Sequence, residues 1–327
     1  MVRLDSGMGG GGVTISSNLE SFAGRRVVDF APDNAAAVGD PAALAWRLRL
    51  ESYGDDRRSF DELFDQFLET VAADRVEALV MGTWAAEMYD VSAEAVVRRL
   101  SADAARLPRL RSLFLGDITF EEFEISWIRQ TDVTPLLLAF PRLERLRVRG
   151  ADGLALRPVR HEQLLELAFE TGGLPAEVAR AVGGCDLPRL EHLELWLGTP
   201  DYGGDVGVGD LTEILAGARF PRLRYLGLCN AEIADQVAAA LATAPVVAQL
   251  EVLDLSMGVL TDQGATALLT GQPLSQLRRL DLHHHYLSDE LAGRLRQQLT
   301  AAGVEVDLSE QEDAGEDDED RYVAVGE

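Results

Sequence analysis

Apolar residues recur along this chain in one short frame, L-x-x-L-x-L. The full frames are Leu110/Leu113/Leu115, Leu143/Leu146/Val148, Leu164/Leu167/Phe169, Leu190/Leu193/Leu195, Leu223/Leu226/Leu228, Leu250/Leu253/Leu255 and Leu277/Leu280/Leu282. Successive starts lie 33, 21, 26, 33, 27 and 27 residues apart. A weaker frame, Val76/Leu79/Met81, precedes them, and Val304/Val306/Leu308 follows. Near-copies of one tetrapeptide open four frames: Leu107-Pro108-Arg109-Leu110, Phe140-Pro141-Arg142-Leu143, Leu187-Pro188-Arg189-Leu190 and Phe220-Pro221-Arg222-Leu223. The last two apolar positions of a frame are two apart, so they share one face of a strand, and the residues between point the other way. Five positions later an apolar residue (Phe120, Leu174, Ile233, Leu260, Leu287) turns the chain inward, and a helical stripe such as Leu268-Leu269 follows. Neither apolar surface can be covered within one unit, so the units must stack. The pattern predicts parallel strands lining the inside of an arc and helices its outside.

These frames resemble the leucine-rich repeat, and the 27-residue units with L-D-L-S and T-D-Q-G-A strings resemble its ribonuclease-inhibitor-like branch. The implied fold is an α/β leucine-rich-repeat solenoid, a horseshoe with strands on the concave face and helices on the convex face. One feature departs from that family. Its usual Asn or Cys, three residues after the last frame leucine, is replaced here by Ile118, Ala151, Gly172, Gly198, Ala231, Gly258 and His285. The turns must therefore satisfy their backbone through water or close backbone contacts. Four further strings resemble a bacterial leucine-rich-repeat family more closely: Gly116 to Ile128, Leu193 to Gly198, Leu280 to Glu290 (LDLHHHYLSDE) and Asp320 to Val325 (DRYVAV). That resemblance implies a non-catalytic member of a small cytoplasmic pathway, with a radical-SAM-type or hydrolase-like neighbour as its protein partner.

The ends of a stack need caps. Ser59-Phe60-Asp61-Glu62 is a capping box, and Phe60, Leu63, Phe64, Phe67, Leu68 and Val71 follow helical spacing. Residues 25–30 and 44–50 read as short strands, and Ser92 as the cap of a helix through Val96, Val97 and Leu100. The expected organisation is a flexible glycine-rich leader over 1–12, an N-terminal cap over 13–75, the solenoid over 76–309 and a disordered acidic tail over 310–327. Residues 310–320 hold eight acids in eleven positions, too polar to pack. The Tyr322-Val323-Ala324-Val325 end is suited to adding as a β-strand to a partner or to the edge of its own sheet; the alternative is an end that frays.

Composition narrows the chemistry. The chain has 327 residues, 47% of them hydrophobic, enough for a sizeable core. All 30 basic residues are arginine, which excludes a P-loop lysine and a Schiff-base lysine. The 55 acids give a formal charge of −25, and residues 13–309 alone hold 45 acids against 28 arginines. Such a polyanion repels phosphate backbones and anionic lipid, so nucleic-acid and membrane roles are not expected. Cys185 and Cys229 form no C-x-x-C or zinc pattern, and no stretch has the length and apolarity of a membrane span. A reducing cytoplasm fits these features.

The residues between frame leucines supply the candidate binding face. They are Arg145, Arg147 and Arg149; Glu166 and Glu170; His192, Glu194 and Trp196; Tyr225 and Cys229; Asp254 and Ser256; then Arg279, Asp281 and His283. Trp, Tyr and Arg are favoured interface anchors. The competing reading is a solvated sheet whose polar residues only keep it soluble. No cofactor is implied. The alternative function is a metal-dependent enzyme or metal-binding protein in which His283 and His285 share a face with Asp254 and Asp281. Against it, Asp254 and Asp281 are also the ordinary D of L-D-L, and three consecutive histidines match no established ligand spacing. Two long insertions, Gly116 to Pro135 with Trp127 and Gly198 to Asp210, are candidate rim loops. No G-x-S-x-G string is present, and a Cys229–histidine pair has no oxyanion feature beside it.

Overall fold

The structure is a computed structural model that describes residues 15–33, 39–51, 58–313 and 321–326. The chain forms two compact units, Met1–Ala155 and Leu156–Glu327. Among the described residues no helix is long and apolar enough to cross a membrane.

In the first unit, β2 (Arg25–Asp29), β3 (Leu44–Leu48), β4 (Ala78–Met81), β5 (Ser112–Leu115) and β6 (Arg145–Arg149) pair in parallel and in chain order, and β1 (Ser21–Phe22) folds back antiparallel on β2. The frame positions stack in register: Trp46 beside Leu79, Leu113 and Leu146, then Leu48 beside Met81, Leu115 and Val148. Helices α1 (Phe60–Thr70), α2 (Glu94–Ala102) and α3 (Thr134–Ala139) separate β3, β4, β5 and β6 in turn. The Ser59 capping box starts α1 as its sequence requires, and Phe67 meets Trp46 edge-on at 6.0 Å between ring centres. Burying a ring of this kind contributes about 1.5–3 kcal/mol.

The strands β2 and β3, in the stretch expected as an N-terminal cap fused to the solenoid (13–75), pair into the same ladder as β4. Position Ala43 and Trp46 replace the leucines of that frame, which conceals the repeat in the sequence. The second helix begins at Glu94 with Ala93 in the cap position, and Ser92 only accepts the Glu94 N–H at 3.4 Å.

In the second unit, β7 (Glu166–Glu170), β8 (His192–Gly198), β9 (Tyr225–Ala231), β10 (Val252–Asp254), β11 (Arg279–Asp281) and β12 (Glu305–Asp307) are parallel and sequential. Leu167, Leu193, Leu226, Leu253, Leu280 and Val306 form one registered row, all but Val306 buried. Helices α4 (Ala176–Gly184), α5 (Thr212–Ala216), α6 (Ala234–Leu241), α7 (Asp262–Thr270) and α8 (Asp289–Ala301) alternate with the strands. Side-chain amides tie one repeat to the last: Gln272 donates to the Leu241 and Ala244 carbonyls at 2.9 and 2.8 Å, and Gln276 to that of Val247 at 2.9 Å. These donors satisfy carbonyls that a helix end leaves open.

The turns close as the missing Asn or Cys requires. A β-carbon at Gly198, where φ is +67°, would lie 1.8 Å from the Gly172 carbonyl oxygen, so only glycine permits this backbone approach. His285 fills its slot differently. It is fully buried, and its ring accepts the Leu287 N–H at Nδ1 (3.1 Å) while Nε2 meets the Leu308 carbonyl at 3.4 Å.

Candidate functional site

The two units treat the sheet face opposite the leucine row in different ways. In the first unit that face carries Ala45, Ala78, Val80 and Phe114, and all four are buried. They are covered by the chain itself. A strap over residues 15–20 crosses the strand ends, where Phe120 N–H donates to the Ile15 carbonyl (3.0 Å) and the Leu19 N–H to the Asp117 carboxylate (3.3 Å). Ala23 and Gly24, with φ of +52° and +72°, then turn the chain into the β1–β2 hairpin. Phe22 lands on Phe114, ring centres 6.1 Å apart.

The arginines expected on this face share its closure. Arg149 is buried: its guanidinium stacks 5.1 Å from the Phe114 ring centre and donates to the Ile118 carbonyl at 2.8 Å. Arg145 and Arg147 are half-buried. Asp117 lies beside Arg47 at 3.0 Å; burial holds its carboxyl above the usual range despite the charges of Arg149 and Arg47. Arg149 is therefore a structural cation rather than a presented one.

The corresponding face of the second unit is polar. Strand register arranges it in three rows. Glu166, His192, Tyr225, Val252, Arg279 and Glu305 form the first. The second runs Ala168, Glu194, Gly227, Asp254, Asp281 and Asp307. Beyond it, Trp196 sits beside Cys229. The middle row is an acidic ladder, with Asp254, Asp281 and Asp307 on neighbouring strands about 4.8 Å apart. Like charges set opposite one another are costly, and local donors hold each in place. Asp254 accepts from the Tyr225 hydroxyl at 2.6 Å and the Ser256 N–H at 3.0 Å. Asp281 accepts from His283 Nδ1 at 2.8 Å and Arg279 at 2.7 Å, and Arg279 also reaches Asp307 at 2.9 Å. Glu194 accepts the Trp196 indole N–H at 2.8 Å and meets His192 Nε2 at 3.1 Å, while the His192 ring stacks 3.8 Å from that of Tyr225.

Charge states follow from these contacts. Burial and the charge of Asp281 push the Asp254 carboxyl up. Burial acts on Asp281 in the same direction, but His283 and Arg279 outweigh it and hold that carboxyl below its ordinary value. Burial lowers His283, and the hydrogen bond and charge of Asp281 more than reverse this, so the imidazole is raised above 6.5. Burial, with Asp254 and Glu194 nearby, pushes the Cys229 thiol and the Tyr225 hydroxyl well up, so neither is a nucleophile at neutral pH. Cys229 lies opposite Trp196, while His192 lies opposite Tyr225, which separates thiol and imidazole along the strands. Glu170, Glu194, Trp196, Cys229, Ser256 and Asp281 are buried, so within this unit the presented part of the predicted face narrows to Glu166, His192, Tyr225, Asp254, Arg279 and His283, all half-buried.

The histidine string does not converge. His284 adopts a left-handed backbone, φ +55°, which breaks strand alternation. His283 faces the acidic ladder, His284 meets the Tyr322 carbonyl at 3.1 Å, and His285 is buried in its turn. Both ring nitrogens of His285 are engaged within that turn, so it cannot join His283, Asp254 and Asp281 around a cation. Among the described residues no group of three or more His, Cys, Asp or Glu side chains is placed to hold a metal ion.

Two further features bear on function. On the first insertion, Trp127 is 54% exposed and joins Tyr89 and Phe123, with Tyr89 edge-on to both at 5.9 and 5.1 Å. At the other end of the chain, residues 321–326 lie against the second unit. The expected disorder over 310–327 therefore does not extend to them, while 314–320 fall outside the described residues. Val323 and Val325 are buried, and Asn230 holds the Val325 backbone by two hydrogen bonds. Asn230 was not singled out by the sequence pattern. It sits two residues after its frame leucine, one position before the slot in which the repeat family places asparagine.

The structure is similar to a solved Bacteroides fragilis protein, a structural-genomics target, with a TM-score of 0.71 and 32% sequence identity over 78% of this chain and 74% of that chain. The TLR13 chain of a TLR13–ssRNA13 complex aligns at a TM-score of 0.39 and 15% identity, over 79% of this chain and 34% of that one, a likeness too slight to carry weight. No family model and no curated protein matches the sequence.

Proposed function

The chain belongs to the family of the Bacteroides fragilis protein, and from that premise we propose that it is a non-catalytic scaffold whose second unit binds a basic protein segment on its polar sheet face. Fold alone does not assign this role. The reading rests on the acidic row Asp254–Asp281–Asp307, in which half-buried Asp254 and Asp307 flank a buried Asp281, beside the stacked His192 and Tyr225 rings. A row of carboxylates at strand spacing suits arginine or lysine side chains carried on an extended segment. The first unit has no comparable role, because its own strap fills the matching face. A cytoplasmic setting, and a radical-SAM-type or hydrolase-like partner, belong to this proposal on the sequence resemblance alone.

The test compares capture by the full-length protein and by a Glu305→Gln/Asp307→Asn variant. Both side chains are solvent-accessible, at 72% and 31%, so the changes spare the core. A basic protein retained by the wild type, released by added salt and lost from the variant supports the reading. Equal capture by both proteins at both salt concentrations overturns it.

A further inference from the structure

We propose that the strand-end rim of the second unit is a binding groove for an extended peptide, occupied in the resting protein by the chain's own residues 321–326. The rim is built by repetition. Asn230, Met257 and His284 lie 27 residues apart, each two positions after the last frame leucine and each left-handed, with φ of +52°, +65° and +55°. This turn gives each of these three repeats one polar contact at the same level: the Asn230 carboxamide, the Met257 carbonyl and the His284 imidazole.

The C-terminal segment uses all three. His284 Nε2 and the Tyr286 hydroxyl both lie 3.1 Å from the Tyr322 carbonyl. The Tyr322 N–H donates to the Tyr286 hydroxyl at 3.0 Å, and the Ala324 N–H to the Met257 carbonyl at 2.9 Å. The Val325 N–H donates to Asn230 Oδ1 at 2.9 Å, and Asn230 Nδ2 donates back to the Val325 carbonyl at 2.5 Å. From Tyr322 to Val325 is about 10 Å of extended chain, the width of two inter-strand spacings. The segment therefore crosses the strand ends at right angles. It does not add as a strand along the β12 edge, one of the arrangements its composition suggests.

Every one of these hydrogen bonds is made to peptide backbone. Sequence selection is left to Val323 and Val325, two apart and both buried, and to the Tyr322 ring, which packs edge-on to Tyr286 at 6.3 Å. Backbone recognition with alternate apolar pockets is the chemistry of a peptide site. The ligand class is an extended segment of the form aromatic-Val-small-Val. A tethered occupant holds such a site at high effective concentration, so a free peptide competes poorly until the tether is released. This groove is separate from the acidic ladder and does not depend on it.

The probe is a fluorescent synthetic peptide of sequence Asp-Arg-Tyr-Val-Ala-Val-Gly, residues 320–326. Its binding is measured to the full-length protein and to a full-length Val323→Asp/Val325→Asp variant, which cannot seat its own segment. The variant is expected to bind the probe at least about tenfold more tightly than the wild type. Adding Asn230→Gly to the variant, which keeps the left-handed turn open to the backbone, is expected to abolish that gain. A folded double variant, judged by its circular dichroism and melting transition, that fails to bind the probe overturns the proposal. So does binding that is unchanged by Asn230→Gly. If the double variant does not fold, the wild type incubated with excess unlabelled peptide gives the second measurement: exchange of the Val325 amide unaffected at saturating peptide also overturns it.

Discussion

Replacing Asp281 with asparagine separates the electrostatic role of the acidic ladder from its shape. The Asp281 side chain is 10% exposed and accepts from Arg279 at 2.7 Å and from His283 at Nδ1 (2.8 Å) and at its backbone N–H (3.2 Å). Arg279 keeps Asp307 at 2.9 Å, so its loss is small. His283 loses its carboxylate, and a charge-assisted hydrogen bond of this kind contributes about 1.5–3 kcal/mol. Relief of repulsion on Asp254, whose carboxyl is raised by burial and by the Asp281 charge, offsets part of that. A net loss of about 1–2 kcal/mol is expected at pH 5.5.

The sign of the pH dependence is fixed by the two shifts. His283 is raised, so its contribution is complete below 6.5 and disappears as pH rises through its folded value. Asp281 is lowered, so its contribution is complete above 3.8 and disappears as pH falls through its folded value. The pair therefore stabilises most between about pH 4 and 6.5. Urea unfolding at pH 5.5 and pH 9, with an NMR titration of the His283 ring, reads both effects. The imidazole of the Asp281→Asn protein is expected to titrate lower than in the wild type, because burial lowers it and only the more remote charges of Asp254 and Glu310 still raise it, and the stability difference is expected to shrink at pH 9. A His283 that titrates as high as in the wild type, or an equal loss at both pH values, refutes the reasoning.

Three other outcomes follow from the same contacts. Phe22→Ala removes the ring that seals the first unit's face and is expected to cost about 3 kcal/mol, toward the low end for Phe→Ala because water can enter from the hairpin side, with Phe22→Leu costing under half as much; denaturant midpoints check this. Asn230→Gly preserves the φ of +52° while deleting the carboxamide, so amide exchange at Ala324 and Val325 should accelerate at least about tenfold while exchange in β8 and β9 is unchanged. Glu194→Gln removes the negative charge that accepts the Trp196 indole N–H and that stabilises the excited indole, so the Trp196 contribution to fluorescence should shift to the blue, with little change in melting temperature.

The repeat was legible because burial selects one face of each strand at a period of two, and that period survives in Leu113, Leu167 and Leu280 whatever loops intervene. It faded at the first unit's start, where the frame reads Ala43/Trp46/Leu48: Ala43 is exposed, and one large Trp46 ring fills the core in place of leucine. The seal over the first unit was not legible, since a single Phe22 in a polar stretch carries no period and only tertiary contact gives it a face. Strand alternation implies one shared face for His192, Tyr225, Asp254 and Arg279, and the strand register places them there. Alternation failed at the histidines because His284 turns left-handed, and a sequence of three imidazoles does not state where strand geometry ends. The acidic run concealed the docked end in the same way: charge density over 310–320 argues for solvation, while the six residues after it pack through backbone bonds that composition does not record.

Hydroxyl-radical footprinting of the full-length protein, alone and with the basic partner it captures, addresses the binding claim most directly. Protection concentrated on His192, Tyr225 and His283, and reversed by salt, is the predicted result. Protection confined to the helices or to Tyr89 and Trp127, with the ladder residues as reactive as before, contradicts it.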